Sequence, residues 1–234
     1  MEQNYFEQIY HDRADWLKNH YRFLGGSSAG VLLGVSKYRS VLQWFNEITN
    51  PVTSDEVEDS KNTIQQFGID SEPLIRQTFA LNFPDYEVID PNGYHSYLRK
   101  DKPYLGATID GLAINKKTGE KTILEIKTRD IRCKADLDEW AHQIPQTYYA
   151  QVIHYLMVMN DVKAVKVVAQ LRYFDFDQED SDQVKELRTR FYHIERSEKE
   201  EDIKALEKIE TEFWENHVKT RIPPNFSRKA KLNE

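Results

Sequence analysis

Cysteine is nearly absent: Cys133 stands alone in 234 residues. An intrachain disulfide is therefore excluded, and a Cys-ligated zinc or iron–sulfur centre built within one chain is not expected. Long apolar runs are missing too. No stretch approaches the roughly 20 residues that a helix needs to span a bilayer, so no membrane partner is expected. The first residues, Met1-Glu2-Gln3-Asn4-Tyr5-Phe6-Glu7, lack the basic-then-apolar order of a secretory signal, and a cytoplasmic location is the expectation. Nor is there an excess of positive charge. Lys and Arg number 32 against 39 Asp and Glu, a formal net charge of −7. That rules out a broadly basic nucleic-acid coat and requires any grip on DNA to come from a focused patch. Acids concentrate over 175–215, whereas the tail from His217 carries Lys219, Arg221, Arg228, Lys229 and Lys231 against Glu234 alone. No internal repeat or linker interrupts the chain. At 39% hydrophobic and 30% charged it reads as one globular domain, 1–234.

What is present centres on 104–128. Two apolar stretches, 105–110 and 122–127, read as strands on either side of a polar turn containing Gly119. The first ends in Asp110-Gly111 and the second carries Glu125-Ile126-Lys127. Alternation puts Glu125 and Lys127 on one face of the strand and Ile126 on the other. Pairing the two strands brings Asp110 toward Glu125. Two adjacent carboxylates repel unless a cation lies between them, and hard oxygen ligands suit Mg²⁺ or Mn²⁺. A metal held there can polarise a phosphodiester, while Lys127 orients or deprotonates the attacking water. Asp…Glu-x-Lys alone is a common pattern, so the rest of the chain has to support it.

Elsewhere, spacing predicts a helix over 4–20 with Tyr5, Phe6, Ile9, Tyr10, Trp16 and Leu17 on one face. Ser27 or Ser28 is placed to cap a short helix ending near Leu33, and hydroxyls with free N–H groups at a helix start suit phosphate. No Gly-Lys-Ser/Thr follows, so this is not a Walker motif. Further helices are predicted over 40–49, over 62–82 with a break near Gly68, after Pro145 to about 160, and from 197 onward. The polar run 53–62 leads into the second of these. Strands are predicted over 86–89, 94–98, 162–174 and 189–194. His142 and His154, twelve residues apart, make no metal pair, and Phe213 and Trp214 read as core. Helices flanking a mixed central sheet give an α/β or α+β class.

Five segments then fall in order: Gly25-Gly26-Ser27-Ser28 with Leu33-Gly34; Gly68 with Glu72-Pro73; Asp110-Gly111 with Glu125-Ile126-Lys127; Ile144-Pro145 with Gln151 and Tyr155; and Phe213-Trp214 with Pro223-Pro224. In this order the chain resembles the phage λ exonuclease-like, or YqaJ-type, viral recombination nucleases of the PD-(D/E)xK superfamily. The resemblance implies a restriction-endonuclease-like core. It implies a Mg²⁺-dependent 5′-to-3′ exonuclease, with Mn²⁺ able to substitute and two ions in the site. The enzyme would degrade one strand of linear double-stranded DNA and leave 3′ overhangs for recombination. It also implies a homotrimeric ring and a single-strand annealing protein as partner, in a phage- or prophage-encoded system of a bacterial host. Carried over residue by residue, Asp110, Glu125, the Ile126 carbonyl and Glu72 would hold metal, and Lys127 would serve the water. Gln151 and Tyr155 would face the reacting centre. Ser27, Ser28 and Arg22, with Thr108, would bind substrate phosphate. Ile109 stands where the superfamily name has proline. An endonuclease on the same fold and a non-catalytic binding module are the alternatives.

Overall fold

The structure is a computed structural model that describes residues 2–20, 22–50, 63–91, 94–175 and 183–225. The polar run 53–62 and the basic residues Arg228, Lys229 and Lys231 lie outside the described residues.

The centre is a five-stranded mixed sheet in the order β2-β5-β6-β7-β8, formed by Tyr86–Ile89, Gly111–Asn115, Lys121–Ile131, Val162–Tyr173 and Glu186–Glu195. β6 and β7 are parallel and the other neighbours antiparallel. A parallel pair needs a crossover connection, and α5 (Lys134–Glu139) and α6 (Gln146–Val158) supply it. Side-chain alternation divides β6 between two cores. Ile123 and Ile131 join the larger cluster, which includes α6, while Leu124 and Ile126 join Ile75 and Phe79 of α4 (Thr63–Asn82) on the other face. Among the described residues no helix is long and apolar enough to cross a membrane.

A second sheet, β1-β3-β4, joins Tyr5–Ile9, His95–Arg99 and Gly106–Ala107. Here the helix expected over 4–20 is corrected. Residues 5–9 pair antiparallel with β3, and only Arg13–His20 is helical, as α1. Tertiary pairing outweighs the helical spacing: the Tyr5 ring meets Tyr97 edge-on and its hydroxyl donates to Asp161 at 2.7 Å. The strand expected over 105–110 shrinks to Gly106–Ala107, and Asp110 immediately precedes β5 instead of closing a strand. α4 runs unbroken past Gly68. That glycine marks a close crossing, since a Cβ there would stand 3.3 Å from Thr128 Oγ1 on β6. α3 (Val41–Thr49) starts at Ser40, whose side chain accepts from Gln43 N while the Gln43 side chain accepts from the Ser40 N–H. α7 (Glu200–Phe213) continues into a π-helical turn at Trp214–Val218.

Candidate active site

β5 ends its pairing with β6 at Gly111 opposite Leu124, so β6 runs on with that edge open. The Asp110 side chain fills the next rung: its Oδ2 accepts from Ile126 N at 2.7 Å. A residue's N–H and C=O point to the same side of a strand, so the Ile126 carbonyl faces this opened edge as well. Glu125 and Lys127 share the face toward α6, as alternation required. The Lys127 ammonium donates to Glu125 Oε1 and lies 5.0 Å above the Tyr148 ring of α6. From the other side, α4 brings Glu72. Arg76, one helical turn further on, donates to the Asp110 backbone carbonyl at 2.8 Å and to Asp90 at 2.7 Å, and stands 3.7 Å from Glu72.

The electrostatics are frustrated. Glu125 is 1% exposed, and its Oε2 is buried with no hydrogen-bond donor among the described residues. Burial first, then the Asp110 charge, push its carboxyl up to about 8 against the pull of Lys127. Burial and Asp110 likewise raise Glu72 to about 7, opposed by Arg76 and Lys127. Burial pulls the Lys127 ammonium down, but Glu125 and Asp110 outweigh it and hold the group charged. The Tyr155 phenol is pushed well above its ordinary range by burial and then by Glu125 and Asp110. Gln151 Nε2 donates to the Tyr155 hydroxyl at 2.6 Å. Asp110, Glu125, Lys127, Glu72 and Tyr155 thus act on one another, and Gln151 reaches them through Tyr155.

The phosphate candidates are scattered. α2 (Gly26–Leu32) is capped by Gly25 without a side-chain bond, so neither serine caps it. Ser28 is buried and its hydroxyl donates to the Gly25 carbonyl at 2.6 Å, whereas Ser27 is exposed. The glycines here serve close approach. A Cβ on Gly26 would lie 2.6 Å from Tyr155 Cε1, which is how the start of α2 comes to sit against Gln151 and Tyr155. Thr108 Oγ1 is engaged with Ser96 Oγ at 3.2 Å and the His95 carbonyl at 3.4 Å. Arg22 lines a separate hollow with Gln8, Tyr10, Asp15 and Asn19. Two residues carry more than their sequence context conveys. Arg76 is legible as a cation one turn after Glu72, and Tyr148 is visible only as part of a helix face.

Among the described residues no three His, Cys, Asp or Glu side chains already stand as a ligand cage. The donor set nonetheless fits a hard divalent cation. Its members are oxygen ligands, Glu125 offers an orphaned buried oxygen, and burial, then the Asp110 charge, raises the carboxyls of both Glu125 and Glu72. A cation among these oxygens would partner the buried Glu125 oxygen and offset the crowding of negative charge.

Residues 15–161 match the YqaJ-like viral recombinase domain. The uncharacterized protein YqaJ of Bacillus subtilis (strain 168) is 27% identical over 161 residues, which cover 63% of this chain and 42% of that protein. The chain therefore spans less than half the length of that relative. The crystal structure of an alkaline exonuclease, LHK-Exo, from Laribacter hongkongensis superposes with a TM-score of 0.51 at 16% identity, over 88% of this chain and 97% of that one. LHK-Exo in complex with dAMP superposes equally well. The superposition establishes a shared fold, and the sequence match, which spans most of the chain including Asp110, Glu125 and Lys127, settles its kinship: the chain belongs to the family of YqaJ-like viral recombinase domains.

Proposed function

We propose that this protein is a divalent-metal-dependent deoxyribonuclease, specifically a 5′-to-3′ exonuclease that degrades one strand of linear duplex DNA and leaves 3′ single-stranded overhangs. The observation that carries the reading is Asp110, Glu125 and Lys127 gathered at the opened edge of β6, with one Glu125 oxygen buried and unpartnered. Asp110, Glu125 and the Ile126 carbonyl would hold Mg²⁺ or Mn²⁺, with Glu72 toward a second ion. When bound, the metal supplies Lewis-acid polarisation of the phosphodiester and a more acidic water.

The chain's own residues do the rest. Lys127, held charged, offsets negative charge building on the phosphate oxygens and aligns the water. Arg76 fixes the backbone at Asp110, so the carboxylate stays on the Ile126 rung. Tyr155, braced by Gln151, closes one wall and excludes bulk solvent from Glu125. Ser27, exposed at the start of α2, is the hydroxyl best placed to meet a substrate phosphate. A homotrimeric ring, a single-strand annealing partner, a single domain over 1–234, and a cytoplasmic, phage-type recombination setting complete the proposal. The family membership and the name of the alkaline exonuclease that shares the fold support it.

The test is linear duplex DNA labelled on one strand, with 5′-phosphate or 5′-hydroxyl ends, beside a closed circle, in Mg²⁺ and in EDTA. Metal-dependent loss of the 5′-phosphorylated strand with the circle intact is the expected result. Cutting of the circle would replace the exonuclease with an endonuclease, and no cutting of either would leave a binding module.

A further inference from the structure

A cavity of about 320 Å³ opens directly beside the catalytic lysine. The two adjoin at Tyr148, whose ring lies under the Lys127 ammonium and which also lines the cavity. So does Arg129, which shares the α6-facing side of β6 with Glu125 and Lys127. Trp140, 1% exposed, is part of the cavity wall, with Gln146 nearby. At the rim stands Tyr38, 77% exposed, the most exposed of the described tyrosines. The loop that carries it is pinned: Val35 N and Ser36 N both donate to the Gly30 carbonyl at 3.0 Å, and Thr147 Oγ1 donates to the Val35 carbonyl at 3.1 Å. A large aromatic ring is thus presented to solvent on a fixed support, at the mouth of a cavity that begins where the catalytic groups end.

The charge balance indicates what the cavity takes. Its two cations are already matched, Lys37 with Glu139 and Arg129 with Asp136 at 3.1 Å. Asp138 adds a further acid to the wall. A cavity with no surplus of positive charge is a poor phosphate site. Its aromatic and amide surfaces suit a flat, uncharged ring with a hydrogen-bonding edge, and its volume is at the small end of ligand pockets. We propose that this cavity is a nucleobase subsite, which receives the base of a nucleotide flanking the scissile phosphate and stacks it on Tyr38. This rests on the nuclease reading above and adds to it a contact that positions the strand through a base, independent of sequence, since every base has a face to stack.

The experiment pairs Tyr38→Ala and Tyr38→Phe with linear duplexes carrying one abasic residue at the first, second or third position from the 5′ end. It reads Kd in EDTA and kcat/KM in Mg²⁺. Tyr38→Ala should lose about tenfold in both on intact DNA, a typical stacking contribution, while Tyr38→Phe stays near the wild type. At one abasic position the wild type should lose the same factor, and Tyr38→Ala should lose nothing more, because the partner of the missing ring is already gone. Tyr38 is exposed, so both variants should keep the wild-type melting temperature. An unchanged Tyr38→Ala, or losses that simply add at all three positions, would overturn the subsite while leaving the nuclease intact. Absence of any hydrolysis by the wild type would instead remove the nuclease reading itself.

Discussion

His154 and Tyr155 are neighbours on α6, yet they serve two buried charge clusters of opposite character. His154 is fully buried. Its Nδ1 lies 2.9 Å from both oxygens of Glu210 on α7, and its Nε2 lies 2.8 Å from the Gly106 carbonyl. Every polar atom on the ring has a partner, and the network ties α6 to α7 and to β4. Tyr155 faces Glu125, where one carboxylate oxygen has no donor and like charges crowd together. Burying an unpartnered charge is costly, and native structures seldom tolerate it without a use for the group. The satisfied cluster holds the fold together. The unsatisfied one stores repulsion that a bound cation would release, and that asymmetry separates structure from function more clearly than burial alone does.

The comparison breaks most visibly at Lys127. In Lys127→Ala, hydrolysis in Mg²⁺ should fall about a thousandfold, the order expected for losing a group that aligns water and offsets transition-state charge. Thermal melting should also fall, because the crowded carboxylates lose the cation that opposes their repulsion, so cleavage is compared per folded molecule. A variant that melts far below the wild type while its folded fraction still cuts DNA would reverse the two assignments.

The mirror image is Glu210→Ala. Leaving His154 buried without its carboxylate should cost about 3–5 kcal/mol, lowering the melting temperature by roughly 10 °C for a chain of this size. At a temperature where the variant is folded, kcat per folded molecule should stay near the wild type. A specific loss of kcat with normal melting would mean that the His154 cluster takes part in the chemistry.

Arg76 tests how far the frustrated cluster depends on its scaffold. In Arg76→Gln, Asp110 loses the donor on its backbone carbonyl and Glu72 loses a neighbouring cation. Supporting contacts of this kind are commonly worth 10- to 100-fold in metal affinity. Calorimetric titration with Mn²⁺ should show about tenfold weaker binding, partly restored in Arg76→Lys. Unaltered titration would confine Arg76 to its link with Asp90.

Much of this contrast is legible in the amino-acid sequence. Period-two alternation determines which face of β6 carries Glu125 and Lys127, and β7 and α6 lie within a residue or two of their expected spans. Asp110 stands out in the sequence for a slightly wrong reason. Asp-Gly looks like a strand end, whereas Asp110 immediately precedes β5 and completes a rung that β5 itself does not reach. Residues 5–9 mislead because the partner of β1 lies some ninety residues away in β3, and spacing within one segment carries no trace of a long-range pairing. Gly26 at the start of α2 is visible, but its role against Tyr155 is not, since close approach between helices depends on both. The pairing of His154 with Glu210, 56 residues on, has no local signature.

The smallest effect is also the sharpest discriminator. With Glu125 raised to about 8 and Glu72 to about 7, the folded protein binds more protons than the unfolded chain between about pH 4 and 8. The metal-free fold should therefore lose stability as pH rises through that window. His154, also raised, contributes in the same direction: its stabilisation is complete below its unfolded value and fades as pH climbs through the folded one. The two contributions separate on adding Mg²⁺. A bound cation keeps Glu125 and Glu72 ionised and should cancel their part, flattening the melting curve by a few degrees, on the order of 1–2 kcal/mol, while the His154 part persists. Glu125→Gln in EDTA should flatten it by a similar amount, because an amide has no proton to lose. A slope unmoved by both metal and Glu125→Gln would mean that the repulsion around Glu125 does not act on stability, and the two clusters would then differ in hydrogen bonding alone.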